Sequence, residues 1–204
     1  MNNNSTLDTT ILSRLQAWYS DLGELTRQLP ELLRKLQREG DYSLLKKVIL
    51  LKANQRYDNW SDYHKHPHNT IRQQVFRNDA LWGQVGEIID FWFTQQATGQ
   101  KMQPNKNKKG IDFITKFGAE DTKWSLNRTN SFPIEITSRG NPSHHWNYVA
   151  EGTNVFLRFI NAEGCFRIKL SENMKSQPLD NFKGQTTLYN CPIENFEKVW
   201  EWQK

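Results

Sequence analysis

The chain has 204 residues and a formal net charge of +5. That length suits one well-buried core with a small helical appendage better than two full domains. Two cysteines, Cys165 and Cys191, with no CxxC spacing argue against a disulfide framework or a zinc cluster. The opening MNNNSTLDTT has neither the basic nor the apolar region of a signal peptide, and no apolar run reaches bilayer length. A soluble, cytoplasmic protein is expected, and its basic charge favours a polyanionic partner.

Residues 1–55 read as a helical extension. Ile11, Leu12, Leu15, Trp18, Tyr19 and Leu22 recur at helical spacing, as do Leu32, Leu33 and Leu36, and then Leu44, Leu45, Val48, Ile49 and Leu51. Pro30 suits the first turn of the second helix, Gly40 its end, and Asp41 the cap of the third. Residues 56–78 are polar and aperiodic and read as a connection. The alternating His64, His66 and His68 have the chemistry to bind zinc, but a solvated loop is the commoner meaning of such a pattern.

Residues 79–204 then form the core. Asp79 caps a helix whose apolar stripe runs through Leu81, Trp82, Val85, Ile88, Ile89, Trp92 and Phe93. At about 100° per residue, Gly83, Glu87, Asp90 and Thr94 lie on the opposite side. A loop rich in lysine and asparagine, GQKMQPNKNKKG, leads into a short strand, Ile111 to Phe117, and a polar stretch follows to Asn130. Phe132 to Ser138 reads as a strand. Asn154 to Asn161 and Cys165 to Leu170 form a hairpin across Ala162, Glu163 and Gly164, and Ile193 to Trp202 reads as a last helix. The order gives a mixed α/β (α+β) core, with a mixed sheet of about four to five strands flanked by helices.

Asp112 opens an otherwise apolar strand. In the next strand Ile134 and Ile136 share one face while Glu135 and Thr137 share the other. An acid among such neighbours is solvated, paired or bound to a cation, because burying it alone is expensive. Adjacent strands would let one cation serve both carboxylates. Hard oxygen ligands of this kind hold Mg²⁺, which neutralises a phosphodiester during hydrolysis.

Gly83-Gln84-Val85-Gly86-Glu87, then Gly110-Ile111-Asp112-Phe113, then Pro133-Ile134-Glu135-Ile136-Thr137 resembles the PD-(D/E)xK nuclease core over roughly residues 79–170. The resemblance implies a restriction-endonuclease-like fold, Mg²⁺ (or Mn²⁺) held by Glu87, Asp112 and Glu135, and cleavage of double-stranded DNA. The family usually carries lysine two residues after the second acid, where this reading places Thr137. Arg139, Lys123 and Lys169 are the cations available to replace it.

A type II restriction endonuclease, working as a homodimer beside a cognate methyltransferase, is the first expectation. The alternatives are a non-catalytic nucleic-acid-binding relative and a nuclease toxin held by an immunity partner. No Walker-type loop is present, so no ATP dependence is expected. Lys106, Lys108 and Lys109, just before Asp112, are candidate phosphate contacts, as are Arg139, His144 and His145 beyond Glu135. His144 and His145 also suit a capping or packing role. The N-terminal helices would dimerise, clamp DNA or cover the core.

Overall fold

The computed structural model describes positions 13, 17, 20–29, 31, 33, 34, 38, 39, 69–105, 110–126, 128–182 and 186–202. The chain divides into two compact units, residues 1–88 and 89–204. In the first unit, residues 20–29 are helical, as are the described positions between 31 and 39. Leu22, Leu29 and Leu33 are buried there at helical spacing. The expected third helix, Pro30, Gly40, and the His64, His66 and His68 triplet lie outside the described residues. Among the described residues no helix is long and apolar enough to cross a membrane.

Helix α1 (Asn69–Thr98) begins ten residues before the expected cap at Asp79, so the last part of the expected connection over 56–78 is helix. No Pro or Gly interrupts residues 69–79, and Val75 and Asn78 are buried. Polar composition alone therefore did not mark a loop. The side opposite the expected apolar stripe is buried at its C-terminal end: Asp90 and Thr94 have no exposure at all, while Trp92 on the stripe is only half-buried.

Among its described residues the second unit contains ten short strands. β1 (Gln103–Pro104), β2 (Phe113–Ile114), β3 (Ala119–Trp124), β6 (Val155–Ile160), β7 (Gly164–Lys169) and β10 (Glu197–Glu201) form a six-stranded sheet in the order β1-β2-β3-β6-β7-β10. The β3–β6 pair is parallel and the other pairs are antiparallel, so the sheet is mixed, as expected. It has six strands rather than four or five, and a second, four-stranded sheet accompanies it. That sheet runs β5-β4-β9-β8, from β4 (Ser131–Ser138), β5 (Asn141–Pro142), β8 (Asp180–Phe182) and β9 (Thr186–Pro192). A short helix, α2 (His144–Ala150), lies in the crossover between the parallel strands. The expected β6–β7 hairpin is present, its turn held by Asn161 Oδ1, which accepts from the backbone N–H of Glu163 and Gly164.

Two further expectations change. The Ile111–Phe117 segment pairs only at Phe113 and Ile114 before turning at Thr115–Gly118. The expected last helix is a 3₁₀ turn, Ile193–Asn195, followed by β10, which pairs with β7. Gly164 explains part of this geometry: a Cβ there would sit 2.1 Å from the Trp200 carbonyl oxygen.

The two sheets share one core. Phe132, Ile134, Ile136 and Cys191 of the smaller sheet pack with Ala119, Val155, Leu157, Phe159, Phe166 and Ile168 of the larger, and with Trp146 from α2. Phe132 and Phe159 stack at 4.8 Å between ring centroids. The opposite face of the larger sheet carries charge instead. Arg158 on β6 has no solvent exposure. It grips Asp90 through Nε at 2.6 Å and Nη2 at 2.7 Å, and donates through Nη1 to Glu120 at 2.6 Å. Trp200 Nε1 and Thr122 Oγ1 also donate to Asp90, at 2.7 and 2.9 Å. Arg167 joins Glu120 at 3.1 Å and Glu197 at 2.6 Å.

Burial alone would raise the Asp90 pKa, but Arg158 and the donors around the carboxylate outweigh it and hold the pKa below its ordinary value. A depressed carboxylate contributes stability above its unfolded pKa and loses it as pH falls through the lower folded value. Arg158→Met leaves Asp90 and Glu120 buried without their cation and is expected to cost about 3–5 kcal/mol, measured by urea unfolding at neutral pH. The same variant should lose less stability than wild type as the medium is acidified below the ordinary carboxylate range.

Candidate functional site

Strand β3 has two polar faces. Glu120 and Thr122 point to the buried charge network, so alternation sends Asp121 and Lys123 to the other face. Asp112 lies one residue before Phe113, and Asp121 one residue after Glu120, the residue that pairs with Phe113. The two acids therefore flank the same cross-strand pair. The Thr122 backbone N–H donates to Asp112 Oδ2 at 2.8 Å, which fixes the Asp112 carboxylate against β3. Asp121 is 3% exposed, and its Oδ2 lies 2.8 Å from Lys123 Nζ, whose side chain is half exposed.

Glu135 lies on β4, in the other sheet, so the adjacency that would let one cation serve both strands is not met: β2 pairs with β1 and β3, and β4 with β5 and β9. Its carboxylate nevertheless falls within the electrostatic field of Lys123 and Asp121. Burial raises the Glu135 pKa, Asp121 adds to the rise, and Lys123 and His144 only partly offset it. For Lys123 burial works downward, but Asp121, Asp112 and Glu135 outweigh it and raise the ammonium pKa. Lys123 is therefore a persistent cation facing three acids.

A β-bulge between Glu135 and Thr137 interrupts pairing with β9. The Glu135 carbonyl there accepts hydrogen bonds from Ser143 Oγ at 2.9 Å, His145 Nε2 at 3.0 Å and Trp146 Nε1 at 2.8 Å. His145 is buried and serves this anchor, the packing role that its position also suited. His144 is exposed, and its Cβ packs 3.1 Å from where a Cβ on Gly110 would stand, two residues before Asp112. Gly110 has φ of 76°, so both backbone conformation and space favour glycine.

Thr137, Arg139 and Lys169 have other surroundings. Thr137 Oγ1 is 2.7 Å from Thr187 Oγ1, which ties it to β9. Arg139, at φ 52°, is exposed in the tight turn between β4 and β5. Lys169 is exposed on β7. Glu87 is half-buried on α1, in the first of the two units. Lys106, Lys108 and Lys109 lie outside the described residues. Among the described residues, no three of His, Cys, Asp and Glu converge closely enough to hold a metal ion by themselves.

Asp121 stands outside the expected site, and Lys123 is one of the three cations available to it from the sequence. Their signal was Asp121-Thr122-Lys123, an acid and a lysine two residues apart, which places both on one strand face. Compared with known proteins, the chain matches no family model, no curated protein and no solved structure.

Burial lowers the His145 pKa by more than the Glu135 carbonyl and Asp121 raise it. A depressed imidazole binds fewer protons in the folded state, so stability is full above the unfolded pKa and falls as pH drops toward the folded value. His145→Gln keeps a donor without a titration in that range. Urea midpoints at about pH 7.5 and about pH 5.5 should fall between the two conditions by more in wild type than in this variant.

Proposed function

We propose that this protein is a Mg²⁺-dependent DNA endonuclease of PD-(D/E)xK type, acting in the manner of a type II restriction endonuclease. The observation that carries the reading is the pairing of Asp112 with Asp121-Thr122-Lys123. The acids stand on neighbouring segments of one sheet, and lysine follows the second acid by two residues. This supplies the cation that the Glu135-Ile136-Thr137 reading lacked, so we assign the second acid to Asp121 and the lysine to Lys123. Glu135 is retained as an additional carboxylate facing the same lysine.

The donor set fits the metal. Oxygen ligands suit Mg²⁺, which needs only one or two carboxylates because water and phosphate oxygens complete its octahedron. Asp112 and Asp121 would hold it, with Glu135 beside them. When bound, the ion supplies neutralisation of charge on the scissile phosphate. The chain's own residues do the rest. Thr122 N–H orients Asp112. Lys123, kept protonated by its three acids, donates to a phosphate oxygen or to the attacking water and stabilises the developing negative charge. Because that ammonium is held as a cation, its role is electrostatic and it does not accept the proton. His144, exposed beside Gly110, is placed to meet a phosphate at the edge of the site.

Digestion of plasmid and long linear DNA with Mg²⁺ tests the reading. Discrete fragments support site-specific restriction, smearing or RNA loss the toxin alternative, and retained binding without cleavage the non-catalytic one. Asp112→Asn, Asp121→Asn and Lys123→Met should each reduce cleavage roughly a hundredfold or more, with unfolding midpoints close to wild type. Thr137→Val should stay within a few-fold of wild type. Cleavage that survives Asp121→Asn and Lys123→Met but is lost in Thr137→Val would return the second acid to Glu135. Isothermal titration with Mg²⁺ alone should show binding weakened in Asp121→Asn, independently of turnover.

A further inference from the structure

On the charge-network face of the six-stranded sheet, opposite Asp121 and Lys123, a cleft of about 660 Å³ opens beside the C-terminal end of α1. Its walls carry Lys101, the β2–β3 turn residues Lys116 and Phe117, and Glu197 of the edge strand β10, which is bound to Arg167. The Phe117 ring is 41% exposed, although large apolar side chains at a turn gain nothing from contact with water. Arg167 holds the ring in place, its guanidinium carbon 4.7 Å from the ring centroid and 5.0 Å from that of Phe156. Arg167 is itself fixed by Glu120 and Glu197, so the aromatic surface is built on a rigid support.

The fourth feature is an orphan. Gln100 lines the same cleft, and its side-chain nitrogen is buried with no hydrogen-bond partner among the described residues. A buried donor left unpaired is destabilising, and an incoming acceptor oxygen removes that penalty. Two lysines, Lys101 and Lys116, the latter with its ammonium 5.0 Å from the Phe117 centroid, call for an anion, the amide for an oxygen acceptor, and the supported ring for a flat π-system. A cleft of this size accommodates one such unit.

We propose that this cleft binds a nucleoside phosphate with an unpaired base: the base stacks on Phe117, and the phosphate is held by Lys101 and Lys116 with Gln100 donating to the ligand. The site goes beyond the nuclease reading and does not depend on it, since none of its residues belongs to the carboxylate cluster. The chemistry is common to a free nucleotide and to a single-stranded stretch of nucleic acid, and the probes separate these.

The full-length protein is titrated, in EDTA, into a fluorescein-labelled oligothymidylate of about ten nucleotides, a length within the range of single-strand sites. Thymidine 5′-monophosphate and inorganic phosphate serve as unlabelled competitors. Phe117→Ala should weaken binding about tenfold or more, as should Gln100→Met combined with Lys101→Gln, while Lys175→Gln, in the 3₁₀ turn Glu172–Ser176 away from the cleft, stays within about twofold of wild type, a change well below that expected of a lost contact. Lys101→Gln alone, at an exposed position, guards against a folding defect and should weaken binding and flatten its salt dependence.

Competition by the mononucleotide assigns the site to free nucleoside phosphates, and oligonucleotide binding without such competition assigns it to a strand. Both support the cleft. Three results overturn it: no binding of either probe, binding lost in Lys175→Gln but retained in Phe117→Ala, or inorganic phosphate competing as well as the nucleotide. Cleavage of a short duplex in Mg²⁺, measured on the same variants, reports separately on the nuclease reading.

Discussion

Arg158 carries a full charge at a position with no exposure to solvent, and Asp90 and Glu120, its two acids, are equally buried. Removing such groups from water costs several kcal/mol per ion before any attraction is counted, so the arrangement survives only because every side is satisfied. The guanidinium uses Nε and Nη2 on Asp90 and Nη1 on Glu120. Asp90 Oδ1 accepts also from Trp200 and Oδ2 from Thr122, while Glu120 Oε1 accepts from Thr115 and Arg167. An apolar substitute for the whole set could bury as well, but it would not define register. Hydrogen bonds of fixed direction join the last turns of α1 to β3, β6, β7 and β10 in one arrangement.

Thr122 transmits that order to the candidate site. Its hydroxyl belongs to the network and its backbone N–H holds Asp112, while its chain neighbours Asp121 and Lys123 project from the opposite face. β3 is thus clamped from one side and chemically equipped on the other. The same residues explain why Lys123 can remain charged in a partly buried setting: three acids outweigh the cost of its desolvation.

The double role of β3 also explains what could be read from the sequence. The strand around Ile134 and Ile136 and the β6–β7 hairpin were legible because one face of each is apolar and a turn residue marks the boundary. Asp112 was legible because it interrupts an apolar segment. β3 was not, since Glu120-Asp121-Thr122-Lys123 is polar on both faces and hydrophobic alternation has nothing to register. The same physics hid the burial of Asp90 and Thr94, which periodicity places opposite the apolar stripe and whose partner is an arginine 68 residues away from Asp90 in sequence. β10 was masked differently. Its apolar residues fit helical spacing, and only pairing with β7 and the close approach of Trp200 to Gly164 distinguish it as a strand.

Glu135 remains the element that this logic constrains least directly. It belongs to the second sheet, and its place near Lys123 is set by α2, whose first residues bind the Glu135 carbonyl rather than its carboxylate. Backbone anchoring of that kind fixes where the side chain starts and leaves its χ angles free to adjust. Asp112 differs, because the β3 amide binds its carboxylate oxygen. A site built this way has two acids and a lysine carried by one clamped strand and the segment paired to it, with a third acid delivered from a neighbouring sheet. The division of labour follows from the anchoring: the β2–β3 residues set the geometry of the charge, and Glu135 tunes it through the field it places on Lys123.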